Sequence, residues 1–462
     1  MTEIALIDTE LPDFGDPTIQ PQIPAATYAA RVTEALRRAK SANLDALVVY
    51  GDREHAANVA YLTGYDPRFE ETLLIPVPGR RPTLLLGNEG WSYAELAAGD
   101  FDRVLCQTFS LPGQPRDRQP PLIDLLRGAG LRPGMTAGAV GWKIFTQEDP
   151  GADDTWLDLP AFIADRLTAI GLKLRNATAL FMNPEDGLRA INDVDQLAAF
   201  EFAACHASSA LRRVLLGIRP GMTELAAASL MAPNGLPLAA HTMLSSGPRA
   251  AKGLPSPTQK ILARGDPMTM AYAPQGALNA RAGFLVADAG ELPEPIRDYV
   301  PRLVAPYFAA VAEWYEAVGI GTEGGTLYDI IHRHLGDPFF GVGLNPGHLI
   351  HLDEWLHSPI FPGSRIELRS GMALQVDVIP ATHSPWFTTN IEDGIALADE
   401  PLRETFARQY PEAWSRIQRR RAFMSDVLGI HLRPEVLPFS NIPAYLPPFW
   451  LSPSRVLAKR KQ

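Results

Sequence analysis

The sequence predicts a mixed α+β chain of two unequal domains, and three observations carry that expectation. At 462 residues the chain exceeds one ordinary core, and its 46% hydrophobic content is ample for two. Between residues 28 and 86 a helical period gives way to short apolar runs, the alternation expected of an α/β domain. A loop-forming run, Asn183-Pro184-Glu185-Asp186-Gly187, then precedes a long amphipathic stretch.

The elements follow in order. An N-terminal arm carries Pro12, Pro17, Pro21 and Pro24 and is poor in helix signals. Val32, Leu36 and Ala39 then recur on one side of a helix over residues 28–42. Leu44-Asp45-Ala46-Leu47-Val48-Val49-Tyr50 reads as a buried strand, with two more at residues 71–77 and 82–86. The break at 183–187 closes a first domain at residues 1–185. Beyond it, Asn192 or Asp193 can cap a helix whose apolar stripe is Leu197, Phe200, Ala204, Leu211 and Leu215, with Gly217 as its stop. Thr223 is poised to cap the next helix. A second domain spans residues 186–425. From Pro434 the chain turns Pro-rich and aromatic, with Pro438, Pro443, Pro447, Pro448, Phe449 and Trp450. Such a segment builds no core of its own. The tail, residues 426–462, is therefore expected to lie across the domain or a partner subunit, with Lys459-Arg460-Lys461 frayed.

Composition excludes several classes. A formal net charge of -10 disfavours nucleic acid and anionic membranes, which want basic patches. No apolar run reaches the ~18–20 residues of a membrane helix. Met1-Thr2-Glu3-Ile4 lacks the basic and apolar regions of a leader, so a cytoplasmic location is the expectation. Cys106 and Cys205 lie far apart in apolar surroundings and suggest no disulfide framework.

The chemical signal lies late in the chain. Six of the ten histidines fall between His332 and His383. His332 and His334 sit on a predicted helix and are read as structural. His348 follows Gly347, and the acids Asp377 and Glu392 come later, in Gly371-Met372-Ala373-Leu374-Gln375-Val376-Asp377 and Ile391-Glu392-Asp393. Upstream, Gly265-Asp266 opens a strand pair. In order and spacing these motifs resemble the C-terminal half of the creatinase/aminopeptidase P family, the pita-bread hydrolases. Tyr61-Leu62-Thr63-Gly64-Tyr65 is similar to a loop of that family's N-terminal domain.

The resemblance implies an α+β architecture, with a smaller N-terminal α/β creatinase-like domain and a C-terminal pita-bread domain. In metal-dependent members the His, one Glu in each later motif and two Asp after Gly-Asp bind a dinuclear centre. Here Ala271 and Ala282 fall on the two Asp positions, and Asp377 replaces a Glu. No Asp or Glu occurs in residues 267–287, so no slip of register restores the pair. Trp355 stands where relatives keep a second His, with His351, His357 and Glu354 as nearby alternatives. No metal or other cofactor is therefore expected.

The leading expectation is a metal-independent, creatinase-like hydrolase that cleaves a C–N bond in a small, nitrogen-rich zwitterion. His348 or His351 would be the general base or proton shuttle. Asp377 and Glu392 would hold the cationic end, and their repulsion should raise one pKa unless Arg281 neutralises an acid. Arg249, in Ser246-Gly247-Pro248-Arg249, is a candidate carboxylate binder, and Arg281 serves equally as anion clamp or salt-bridge partner. Creatinase itself places a His on the loop before Gly-Asp. Leu254 occupies that position here, which leaves His241 as a substitute. Creatinase-like dimers close each site with an aromatic and an Arg from the neighbour's N-terminal domain, and Phe69 and Arg68 match those roles. Two alternatives stand beside this reading. One is a single-metal, Xaa-Pro peptidase-like hydrolase using His348, Asp377 and Glu392; the other is a catalytically dead pita-bread domain that binds a partner or small ligand.

Overall fold

The chain opens on strand β1 (Glu3–Asp8) and folds into two compact units in a computed structural model that describes residues 3–118, 120–146 and 148–460. One unit is Gln22–Ala190; the other joins the residues up to Pro21 to those from Ile191 onward. The boundary thus falls five residues beyond the expected 185. The N-terminal arm also belongs to the second unit rather than the first, because its strand pairs there.

The first unit is built on a six-stranded mixed sheet of β2 (Ala46–Gly51), β3 (Thr72–Ile75), β4 (Thr83–Leu86), β5 (Asp102–Leu105), β6 (Thr136–Val140) and β7 (Lys173–Asn176). Their order is β5-β4-β3-β2-β6-β7. β2, β3 and β4 pair antiparallel, while β4–β5, β2–β6 and β6–β7 are parallel. The continuous apolar runs are explained by burial on both faces, since every residue of β2, β3 and β4 is buried. The first helix, Ala25–Ser41, buries Arg31, Ala35 and Ala39. Val32 and Leu36 of the expected stripe are only half-buried beside that line. Arg31 tolerates burial because it lies over the Tyr28 and Tyr61 rings, 5.5 and 4.4 Å from their centroids, and donates to the Tyr61 carbonyl at 3.2 Å.

The second unit has a seven-stranded antiparallel sheet. Its strands are β8 (Met243–Ser246), β9 (Pro267–Tyr272), β10 (Asn279–Phe284), β11 (His348–Leu349), β12 (Ala373–Asp377), β13 (Asn390–Leu397) and β14 (Val436–Pro438). The main path runs β11-β12-β13-β10-β9-β8, with β14 also paired to β13. The long helix is Val194–Gly217; Asp193 caps it by accepting from the Gln196 N–H. Thr223 likewise caps helix Glu224–Ser229 through the Ala226 N–H. Helix Pro411–Asp426 docks on the long helix through Arg416 and Arg420, which bind buried Glu201 at 2.7 and 2.8 Å.

The C-terminal segment is an integral part of this unit, not a separate tail. Phe449 and Trp450 are buried, and the Phe284 N–H donates to the Pro448 carbonyl while the Trp450 N–H donates back to Phe284. Strand β15 (Arg455–Arg460) pairs antiparallel with β1. Lys459 is tied to Glu316 at 2.6 Å rather than frayed; Lys461 lies outside the described residues.

Candidate active site

The register of the large sheet collects the chemistry on one face. Asp377 lies opposite Glu392, Glu392 opposite Ala280, Ala280 opposite Ala271, and Ala271 opposite Met243. The adjacent row reads Asn390, Ala282, Thr269 and Ser245. On the other side, His348 lies opposite Gln375, and Gln375 opposite Gly394. Cross-strand partners share a face, as do residues two apart along a strand. Acids and imidazole therefore occupy β11, β12 and β13, whereas β8, β9 and β10 offer methyls, hydroxyls and Met243.

Local sequence explains the placement of His348. Gly347 adopts a positive φ of 125°, and a Cβ there would approach the Gln375 carbonyl oxygen to 2.9 Å, so the residue before the histidine must be glycine. From this turn the imidazole is fully buried, with Nδ1 3.1 Å from its neighbour's carbonyl, Leu349 O. Its Nε2 lies 3.2 Å from Glu354, 3.8 Å from Glu392 and 4.0 Å from Asp377. The Trp355 ring stacks on it at 4.1 Å and 20°. Tyr307 braces the acid-bearing strands from helix Ala305–Ala317, donating to the Val378 carbonyl at 2.9 Å and accepting from the Ile391 N–H at 2.7 Å.

These groups perturb one another. Burial opposes charge on His348, but the surrounding carboxylates of Glu354, Glu392 and Asp377 outweigh it and push the imidazole up to about 10. Burial raises Asp377 to about 6, with the His348 charge opposing and Glu354 adding to the rise. Glu392 is raised further above its ordinary range, again first by burial and next by the Asp377 charge. The expected elevation is present, with desolvation rather than repulsion as its leading cause.

The remaining expected residues separate. Arg281 points to the opposite face of β10, is fully buried and holds both oxygens of Asp393 at 2.9 Å. It also donates to the carbonyls of Tyr445 and Ile442. It is a structural salt-bridge partner, not an anion clamp, and it neutralises neither site acid. Arg249 pairs with buried Glu224 and donates to the Ser256 carbonyl at 2.9 Å, so it pins a loop. His351 is buried edge-on against Phe200 at 5.2 Å. His241 bonds the Leu254 carbonyl at 2.8 Å. In the first unit Arg68 pairs with Asp66 at 2.7 Å, and Phe69 is 72% exposed. Glu354 is the one alternative that joins His348. Sequence reasoning missed Gln375 and Asn390, although each lies two residues from an assigned acid on a strand and so shares its face.

A two-metal centre does not fit this donor set. Ala271 and Ala282 lie on the right face, but a methyl has no lone pair, and the carboxylates are confined to one side of the sheet and the Glu354 loop. One cation is a different matter: donor atoms of His348, Glu354 and Glu392 all lie within 4.8 Å of one another.

Comparison with known proteins agrees with this architecture. Residues 31–164 match the family described as Creatinase/Prolidase N-terminal domain. Among curated proteins, no sequence matches the chain. Solved structures with the same fold include a prolidase from Thermococcus sibiricus, 18% identical over 81% of this chain and 95% of that one, with TM-score 0.62. The dipeptidase PepE from Mycobacterium ulcerans is 18% identical, covering 82% and 95%, at 0.59. An X-Pro aminopeptidase from Thermotoga maritima is 16% identical, covering 80% and 95%, at 0.60.

Proposed function

Because this chain joins a creatinase-type N-terminal domain to a pita-bread domain, the architecture of the creatinase/aminopeptidase P family, we propose that it is a hydrolase acting on a C–N bond of a small, nitrogen-rich, zwitterionic compound. It works without a metal. The supporting observation is the buried imidazole facing three carboxylates across from alanines at both lost ligand positions. A cluster with that excess of acid is costly to bury without an added positive group, and the cationic end of a substrate supplies one.

Of the two roles expected for His348 or His351, base or proton shuttle, this assignment keeps the shuttle for His348 and gives the base to Asp377. Held up to about 10, the imidazole is protonated at neutral pH and can donate to a leaving nitrogen. Asp377, held at about 6, is the group suited to accept a proton from the attacking water. Such acid–base assistance is worth about 10²–10⁴-fold, so positioning of the substrate by Glu392 and Glu354 carries the remainder. The anionic end falls to Arg68, supplied with Phe69 by a neighbouring copy in a homodimer.

A second reading is favoured by one observation, the convergence of His348, Glu354 and Glu392 donors. These residues would hold a single divalent ion, and a bound ion would acidify a water for attack on a peptide-like bond. A thermal-shift screen of amidines, guanidino acids and Xaa-Pro dipeptides, with and without chelator, tests both. Stabilisation by amidines or guanidino acids that survives chelator supports the first reading. Stabilisation by Xaa-Pro dipeptides that chelator abolishes supports the second.

A further inference from the structure

Three buried acceptor atoms on the face of the site lack a hydrogen-bond partner among the described residues: Asp377 Oδ1, Gln375 Oε1 and Asn390 Oδ1. Their residues are 6%, 0% and 8% exposed. Buried acceptors are ordinarily satisfied, and leaving one empty costs free energy that an apolar side chain of the same shape would not. The orientation of Gln375 is fixed, since its Nε2 donates to the Leu278 carbonyl at 2.6 Å and leaves Oε1 as the unused end. Opposite it, Gly394 keeps the space open: a Cβ there would come within 3.1 Å of that oxygen. Asn390 occupies the same face of β13 as Glu392 and stands opposite Ala282, one of the methyls in place of a metal ligand. The two amides therefore flank the acid pair, one from each adjoining row.

We infer that Gln375 and Asn390 are ligand-binding residues that recognise the cation by its N–H bonds, favouring an N–H-bearing head over an N-alkylated one. The inference rests on the cation-accepting site proposed above. Carboxylates attract any cation by charge and accept N–H bonds from an amidinium, and each amide oxygen beside them adds a further test for an N–H donor. Neutral amide oxygens attract any cation weakly and gain a directed bond only from a donor. They stand two residues to either side of the Asp377–Glu392 row, so a small head bonds Asp377 Oδ1 and the amide on one side of it, and alkylation at nitrogen forfeits a bond and leaves an oxygen empty.

The test is thermal-shift titration of the full-length protein with acetamidine, methylguanidine and tetramethylammonium as probes. In the wild type the two N–H cations should stabilise at lower concentration than tetramethylammonium. At least one of Asn390→Leu and Gln375→Met should weaken acetamidine by about tenfold and leave tetramethylammonium unchanged, narrowing the discrimination. Asn390→Ser keeps an uncharged oxygen acceptor and should retain part of it, which controls for a purely structural effect. Unchanged discrimination in both apolar variants overturns the inference while leaving the cation site standing. If no probe shifts the wild type, the cation site itself fails and this inference falls with it.

Discussion

Ala280 stands directly opposite Glu392 across the antiparallel pair β10–β13, so the strand beside this buried carboxylate offers only a methyl. Ala271 continues that methyl row on β9, and Ala282 heads the next. Replacing Ala271 and Ala282 together by Asp should restore a set of donors on both sides of the face. The double variant is expected to lose about 3 kcal/mol or more of stability without metal, from added buried charge, and to regain it with Mn²⁺ or Zn²⁺. Melting in the presence and absence of each ion checks this; the wild type should respond far less.

The site also dictates a pH profile. The folded state holds the Asp377 proton up to about 6, above its ordinary 3.8, so stability falls as pH rises through that window. His348, raised from 6.5 to about 10, contributes stability that is complete below about 6.5 and is lost as pH climbs to 10. Both slopes have the same sign. Urea midpoints should decline from pH 4 towards 10, and Asp377→Asn should flatten the first part, worth roughly 2–3 kcal/mol. Glu392→Gln, which mimics the protonated acid, should stabilise the protein most at alkaline pH.

Arg281 belongs to the frame. Its removal strands Asp393, which is 1% exposed, together with two backbone carbonyls. Arg281→Met should cost about 3–5 kcal/mol in chemical denaturation, yet leave ligand affinity of the folded fraction unaltered. A selective loss of affinity at unchanged stability would return Arg281 to the site.

Arg68→Ala addresses the proposed closure by a neighbouring copy. It should weaken a zwitterionic ligand by about tenfold or more while leaving a simple cation such as acetamidine unaffected, because only the former has an anion to pair. Isothermal titration of both ligands on the same variant measures the difference.

Much of the frame was legible because it rests on local signals. Asp193 and Thr223 cap the helices their spacing suggested, and the apolar runs at residues 44–50, 71–77 and 82–86 each hold a strand. The pairing of β1 with β15 was not legible, since neither strand indicates a partner over 440 residues away. At the site, His348, Asp377 and Glu392 converge as their motifs implied, and the period-2 alternation of β10 turns Arg281 and Ala282 to opposite faces. Which acid Arg281 would meet depended on cross-strand register, and that put Asp393 rather than Glu392 within its reach. Glu354 became the nearest partner of His348 through a loop, where no periodicity guides prediction.

The most direct test is elemental analysis of protein purified without chelator, paired with amidine binding before and after exhaustive EDTA treatment. A metal-independent cation site predicts no stoichiometric metal and the same amidine affinity in both preparations. One or more tightly held ions per chain, with binding abolished by their removal, would contradict it.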